Sequence, residues 1–247
     1  MKLTQLILFL CIPSALLTAQ ERVIFHHIPK SGGLTTSKIL NQHFTPQETL
    51  TEPHQYLIQG KSLLEISQYK FIRGHFLFPR FKGLPGKRIT FLRDPIERVL
   101  SAHRYYKEIY REDAKKMSIE HICPAQDPLK GSKNQQCKFL SSLDIYNPFI
   151  SDREHLESAK YNLTHKFFFV GITEDLDNGI SILCSLLGFP APTTVPRINK
   201  TKNQNRTYPK KLIRKIEKNN SEDLVLYRFA KELYRKKYAH TTSSQQR

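Results

Sequence analysis

Three short polar clusters carry most of the chemistry open to this chain. The first is His26-His27-Ile28-Pro29-Lys30-Ser31-Gly32-Gly33-Leu34-Thr35-Thr36. Paired glycines let backbone N–H groups come close to an anion. A helix following them adds partial positive charge at its N-terminus, and Lys30 adds a full charge. Ser31, Thr35 and Thr36 offer hydroxyl donors. The pattern suits a phosphate, yet it is not a Walker A loop. In that loop the lysine follows the glycines and a hydroxyl holds Mg²⁺; here Lys30 precedes Gly32 and Gly33. The second cluster is Phe91-Leu92-Arg93-Asp94-Pro95-Ile96-Glu97-Arg98-Val99-Leu100-Ser101-Ala102. Arg93 offers a permanently charged fork of donors. A strand-end Arg93 and a hydroxyl on the next helix, Ser101, can converge on one phosphate. The third is Arg73-Gly74-His75-Phe76, whose His75 is explained on its own by packing or hydrogen bonding at a strand end. His26 and His27 lie in a strand where one is expected to pack inward.

These residues need elements to hold them. Val23 to Ile28 is a β-branched and apolar run ended by Pro29, hence a strand, and Leu34 to Phe44 has helical spacing. Tyr69 to Phe76 and Arg88 to Leu92 read as two more strands. Asp94-Pro95-Ile96-Glu97 starts a helix, with Asp94 as cap and Glu97 completing a capping-box-like pair. That helix should reach about Arg111 and bury Ile96, Val99, Leu100 and His103. Lys166 to Ile172 is apolar on both faces, the pattern of a central parallel strand. Thr173 should cap a helix running through Leu187, with Gly188 just past its end. Short helices are expected over Gln135 to Leu143 and Asp152 to Tyr161, and terminal helices over Tyr208 to Asn219 and Glu222 to Tyr238. Thr45 to Gln68 is weakly patterned, with a short helix within Leu57 to Ile66. Glu112 to Lys133 reads as loop, and Pro190, Pro192 and Pro196 rule out regular structure around them. Strands alternating with helices imply an α/β fold with a mostly parallel central sheet flanked by helices. Such sheets bind ligands at the carboxyl ends of their strands, where the polar clusters fall.

The chain has 247 residues and a formal charge of +17, from 39 Lys+Arg against 22 Asp+Glu. With 39% hydrophobic and 11% aromatic residues it can build a core, which excludes wholesale disorder. A mean hydropathy of −0.48 excludes a multi-span membrane protein. The charge suits a polyanion or a phosphorylated cofactor, and equally a solvated Lys-rich face. Lys2, an apolar run from Leu6 to Leu17 and Ala19 read as a signal peptide or N-terminal hydrophobic anchor over 1–19. Export, secretion or membrane association follows, with a cytoplasmic chain as the alternative. The domain proper then spans 20–240, with a polar tail at 241–247. Cys123 and Cys137 could close a loop worth about 3 kcal/mol in an oxidising compartment, while Cys184 sits in an apolar run. No Cys/His spacing suggests zinc. Asn-x-Ser/Thr sequons occur at Asn162, Asn199, Asn205 and Asn219.

The order Pro29-Lys30-Ser31-Gly32-Gly33-Leu34-Thr35 resembles the 5′-phosphosulfate loop of sulfotransferases that use 3′-phosphoadenosine 5′-phosphosulfate (PAPS). Arg93-Asp94-Pro95 with Arg98 and Ser101 is similar to that family's 3′-phosphate motif. Further resemblance lies in Arg73-Gly74-His75-Phe76, Asn134-Gln135-Gln136-Cys137, Phe169-Val170-Gly171-Ile172-Thr173-Glu174 and Asp223-Leu224-Val225-Leu226-Tyr227. It points to the membrane-associated carbohydrate branch, the heparan sulfate 2-O-sulfotransferase-like enzymes and related bacterial proteins. Two positions depart from it: the heparan 2-O enzymes carry a second His where this chain has Arg73, and an aromatic is more usual at His103.

The resemblance implies a P-loop-like sulfotransferase fold and in-line transfer of a sulfuryl group from PAPS, released as PAP, to an acceptor hydroxyl, without a metal. It implies a catalytic and donor-binding role for Lys30, and for His75 the role of general base, since an ordinary imidazole titrates at about pH 6.5, with His26 and His27 as rivals. Ser31, Gly32, Gly33, Thr35 and Thr36 would hold the 5′ side, and Arg93 and Ser101 the 3′-phosphate. The acceptor would be anionic or hydroxylated, a glycan and not a nucleic acid. By its own fixed charge, Arg73 could orient an anionic acceptor. Arg197, Lys200 and Lys202, in the basic segment after the prolines, could close over the nucleotide, meet an anionic acceptor or form a solvated loop. An ATP-dependent phosphotransferase and a non-catalytic polyanion-binding protein stay open at this level.

Overall fold

A computed structural model describes residues 21–52, 61–109, 133–196, 198 and 208–242. In chain order these form β1 (Val23–His26), α1 (Gly33–Leu40), β2 (Thr49–Glu52), α2 (Leu63–Ile66), β3 (Phe71–Gly74), β4 (Lys87–Leu92), α3 (Pro95–Ile109), α4 (Gln135–Leu140), α5 (Asp152–His165), β5 (Phe169–Ile172), α6 (Leu176–Leu187), α7 (Lys210–Asn219) and α8 (Ser221–Thr242). The five strands lie in the order β2-β3-β1-β4-β5, and every neighbouring pair is parallel. All their carboxyl ends therefore share one edge, and β1 sits between β3 and β4. The fold is the expected α/β class with a parallel sheet covered on both faces.

Alternation along the strands divides the core in two. Val23, Phe25, Phe71, Ile89, Phe91 and Phe169 pack with Ile39 and Leu40 of α1 and with Ile180 and Leu183 of α6. Leu92, Val170 and Ile172 face the other way, onto α4, α5 and α8 through Phe139, Leu156, Leu163 and Leu226. Next to them Ile24 and Ile72 pack on Ile66 and Leu50. Helix α3 stands apart, burying Val99 and Leu100 against Ile216 of α7.

Three expectations need correction. β2 was invisible in the sequence because its Thr-Leu-Thr-Glu buries one apolar residue, Leu50, at the sheet edge. β5 has the doubly apolar look of a central strand but lies at the other edge; helices cover both its faces, so the pattern reports burial and not strand position. Thr173 is not a cap. It begins a 3₁₀ turn, Thr173–Asp175, and its hydroxyl donates to the Leu92 carbonyl at 3.0 Å, tying β5 to β4.

The remaining readings sort by burial. Gly188 ends α6 at φ 73°, in the left-handed region that favours glycine. Asn162 is 1% exposed, and its amide donates to Leu140 O at 2.7 Å and Ser142 Oγ at 2.9 Å, so its sequon is closed to a glycan. Cys137 and Cys184 are buried free thiols. Cys123 and residues 1–20 lie outside the described residues, as do Asn199, Asn205, Arg197, Lys200, Lys202 and the loop at 112–132. No described helix is long and apolar enough to cross a membrane.

Candidate active site

The two histidines ending β1 divide as strand alternation demands. His26 points into the core against Phe76, Phe78 and Phe167. Burial, and next the Arg88 charge, push its pKa down to about 3, so it is a neutral packing residue. His27 faces the opposite side, over Phe25 and against the ring of His75, 4.3 Å between centroids. Burial first, then the charges of His75, Arg73 and Lys30, hold it well below the usual imidazole range. His75 Nδ1 lies 2.9 Å from the His27 carbonyl. A carbonyl can only accept, so Nδ1 carries the proton and Nε2 carries the lone pair of neutral His75. A general base needs that tautomer.

The loop after β1 is held in a strained form. Lys30 has φ 68° and Gly32 φ 75°, both left-handed. For a non-glycine residue this costs of order 1 kcal/mol and clusters at functional sites. Gly32 is the N-cap of α1 and supplies no side-chain cap, so the first-turn N–H groups are left for a ligand. The Ser31 hydroxyl is buried and has no hydrogen-bond partner. Thr35 Oγ1 donates to Pro196 O at 3.0 Å and Thr36 Oγ1 to Gly32 O at 3.2 Å. Their protons thus brace α1, and a ligand reaching either would exchange one of these bonds for its own. An uncapped turn, a buried unpaired hydroxyl and a lysine fit a phosphate or sulfate oxyanion.

A side chain at Gly33 would displace the His27 ring. A Cβ there would lie 1.8 Å from His27 Nε2. Gly33→Ala is therefore expected to push His27 off its seat against His75 and to lower kcat by about tenfold or more, the scale of misplacing a catalytic group by an ångström. Steady-state kinetics, with circular dichroism to confirm folding, would test this; an unchanged kcat would show that the His27 position is immaterial.

Arg93, at the end of β4, joins the second cluster to the first. Its Nη1 donates to the Lys30 carbonyl at 3.1 Å. Its own peptide is gripped by Gln136: Arg93 N donates to Gln136 Oε1 at 3.0 Å and Gln136 Nε2 donates to Arg93 O at 2.9 Å. Asp94 caps α3 as expected, accepting from Ile96 N and Glu97 N at 2.9 and 3.1 Å. The carboxylate bonded to the Asp94 N–H belongs to Glu174, at 3.0 Å, and not to Glu97, which lies 3.8 Å from both Arg93 and Arg104. Glu174 is in turn fixed by the Tyr227 hydroxyl at 2.8 Å. Ser101 is half-buried. Glu97, Ser101 and Tyr105 recur every four residues on one face of α3. Glu97 meets Arg93, and the Tyr105 ring centroid lies 3.9 Å from Lys30 Nζ, so the helix face that carries Ser101 also carries contacts to both cations.

The support beneath Arg93 was not assigned roles from the sequence. Asp223 accepts from Gln136 N and Cys137 N at 3.0 and 2.8 Å, capping α4. Asn134 Oδ1 accepts from Glu222 N and Asp223 N, both at 3.2 Å, capping α8. Arg98, 1% exposed, donates to Gln135 Oε1 and faces the Asp223 carboxylate. The second arginine of the motif is thus a buried strut. Five polar residues, Arg98, Asn134, Gln135, Gln136 and Asp223, from three helices and a helix cap support a single strand end.

The sequence profile of the Sulfotransferase family matches residues 14–230. The chain belongs to the sulfotransferase family. It is 30% identical to heparan sulfate 2-O-sulfotransferase 1 of Gallus gallus over 58% of this chain. It is 25% identical to heparan-sulfate 6-O-sulfotransferase 2 of Homo sapiens over 88% of this chain. These matches span 44% and 45% of those proteins, so the chain covers less than half the length of either relative. A sulfotransferase from Alicyclobacillus acidocaldarius shares the fold, with a TM-score of 0.52 at 12% identity, covering 85% of this chain and 94% of that one.

Proposed function

We propose that this sulfotransferase-family chain moves a sulfuryl group from PAPS to a hydroxyl of a carbohydrate acceptor. One observation carries the reading: the strand order β3-β1-β4 lines up His75, the Lys30 loop and Arg93 across one sheet edge. Neighbouring strands are about 4.8 Å apart. The base and the 3′-phosphate arginine thus flank the loop from opposite sides, leaving the loop to hold the group in flight.

PAPS supplies an activated sulfuryl group on its 5′-phosphate. His75 Nε2 takes the proton of the acceptor hydroxyl as that oxygen bonds to sulfur. Lys30 and the first-turn N–H groups of α1 meet the charge that develops on the departing phosphate oxygen, a role strongest where water is excluded. Arg93, braced by Gln136, and Ser101 hold the 3′-phosphate. The names of the two heparan sulfate relatives support a glycan acceptor, as does a charge of +17. The hydrophobic N-terminal segment fits an exported or membrane-anchored enzyme.

The test is transfer of radiolabelled sulfate from PAPS across polysaccharide, peptide and phenolic acceptors, with ATP and Mg²⁺ in parallel. Label on a polysaccharide is expected. Transfer from ATP instead, or glycan binding without transfer, would overturn the reading. Arg93→Ala is expected to weaken PAP far more than adenosine 5′-phosphate, because a charge-assisted hydrogen bond is worth about 1.5–3 kcal/mol. Equal losses for both nucleotides in calorimetry would assign Arg93 to the structure of the loop alone.

A further inference from the structure

We infer that the depression between α1 and the end of β3 is an acceptor subsite that binds an oxyanion substituent, carboxylate or sulfate, next to the reacting hydroxyl; this rests on the sulfotransfer reading above. The depression holds about 320 Å³ and is lined by Leu34, Ser37, Lys38, Asn41, Arg73 and Ile198. Among the described residues its polar groups are two cations, an amide and a hydroxyl, with no carboxylate. Neither cation is neutralised: among the described residues, Arg73 and Lys38 form no ion pair, and Arg73 Nε is buried without a hydrogen-bond partner. A half-buried guanidinium with an unmet donor is costly unless something anionic completes it.

Position ties the depression to the reaction. Arg73 pairs in register with Phe25 of β1, and parallel neighbours in register share a face, so Arg73 points to the α1 side along with Phe25 and His27. Its charge is felt at His27, which touches His75. Two residues of extended chain, about 7 Å, separate Arg73 from His75. Leu34 and Ser37 belong to the helix that opens at the phosphate loop. An acceptor whose hydroxyl meets His75 Nε2 therefore reaches the depression with a substituent of the same or the next sugar. Arg73 offers a planar fork that matches a carboxylate or sulfate, and Lys38 adds an exposed charge at the rim.

The experiment uses the full chain with PAPS and three acceptors: heparan sulfate, its carboxyl-reduced derivative and its desulfated derivative. Wild type should favour the parent over one derivative, and which one it rejects names the oxyanion. Arg73→Gln, and separately the exposed Lys38→Gln, should each lower kcat/KM for the parent by about ten- to a hundredfold, mainly through KM, and so collapse that discrimination. Arg73→Lys should recover part of it. Calorimetry of a heparan sulfate hexasaccharide on wild type and Lys38→Gln supplies a readout without turnover. Equal hexasaccharide affinities, or transfer indifferent to both derivatives, would overturn the subsite. Loss of transfer with the affinity difference intact would overturn the reaction assigned above and leave the subsite standing.

Discussion

Lys30→Ala is expected to lower sulfate transfer by about 10²–10³-fold while leaving the fold nearly unchanged and weakening nucleotide binding by less than it lowers the rate. The rate effect follows from removing the full charge that the loop before α1 carries, where the leaving phosphate oxygen gains charge; one preorganised stabiliser of this kind contributes about 3–4 kcal/mol to the barrier. The small structural effect follows from what Lys30 does at rest. Its carbonyl, not its side chain, accepts from Arg93, and alanine keeps that carbonyl. Its side chain lies over Tyr105, a cation–π contact worth about 0.5–1 kcal/mol when exposed. Alanine also keeps the left-handed strain at φ 68°, so the loop is not relaxed by the change. Single-turnover transfer from radiolabelled PAPS, thermal melting and PAP calorimetry separate these effects. Activity within tenfold of wild type would remove Lys30 from the chemistry.

The positions of Lys30, Arg93 and His75 could be read in the sequence because each sits where an apolar strand run stops, and a parallel sheet brings such stops to one edge. Local spacing also gave α1, α3 and α6, since caps and apolar periodicity act within a few residues. It could not give Gln136, Glu174 or Asp223. Each acts on a partner more than 40 residues away in the chain, and a buried amide or carboxylate looks the same in sequence as an exposed one. Arg98 shows the limit most clearly: the motif that carries Arg93 carries it too, yet one guanidinium reaches the loop and the other is sealed against Gln135. The lone-pair nitrogen of His75 was equally hidden, because a backbone carbonyl two strands' worth of sequence away decides it.

His75→Ala is expected to lower kcat by about 10²–10⁴-fold, the contribution of a positioned base, with PAP affinity held. The asymmetry comes from the sheet order: His75 ends β3 and Arg93 ends β4, with β1 between them. The wild-type rate should fall on acidification with one limb, since only neutral His75 can accept the acceptor proton, and the alanine variant should lose that limb. A second acid effect runs beside it and must be kept apart. His26 and His27 are held neutral, with folded-state pKa values below their unfolded ones. The unfolded chain therefore binds more protons, and stability rises with pH between about 3 and 6.5 and is lost as the pH drops through that window. That slope belongs to the fold and should persist in His75→Ala, measured as the urea midpoint at each pH, while the kinetic limb should not. A variant with kcat near wild type and an intact acid limb would move the base to His27, whose ring is the one stacked against His75.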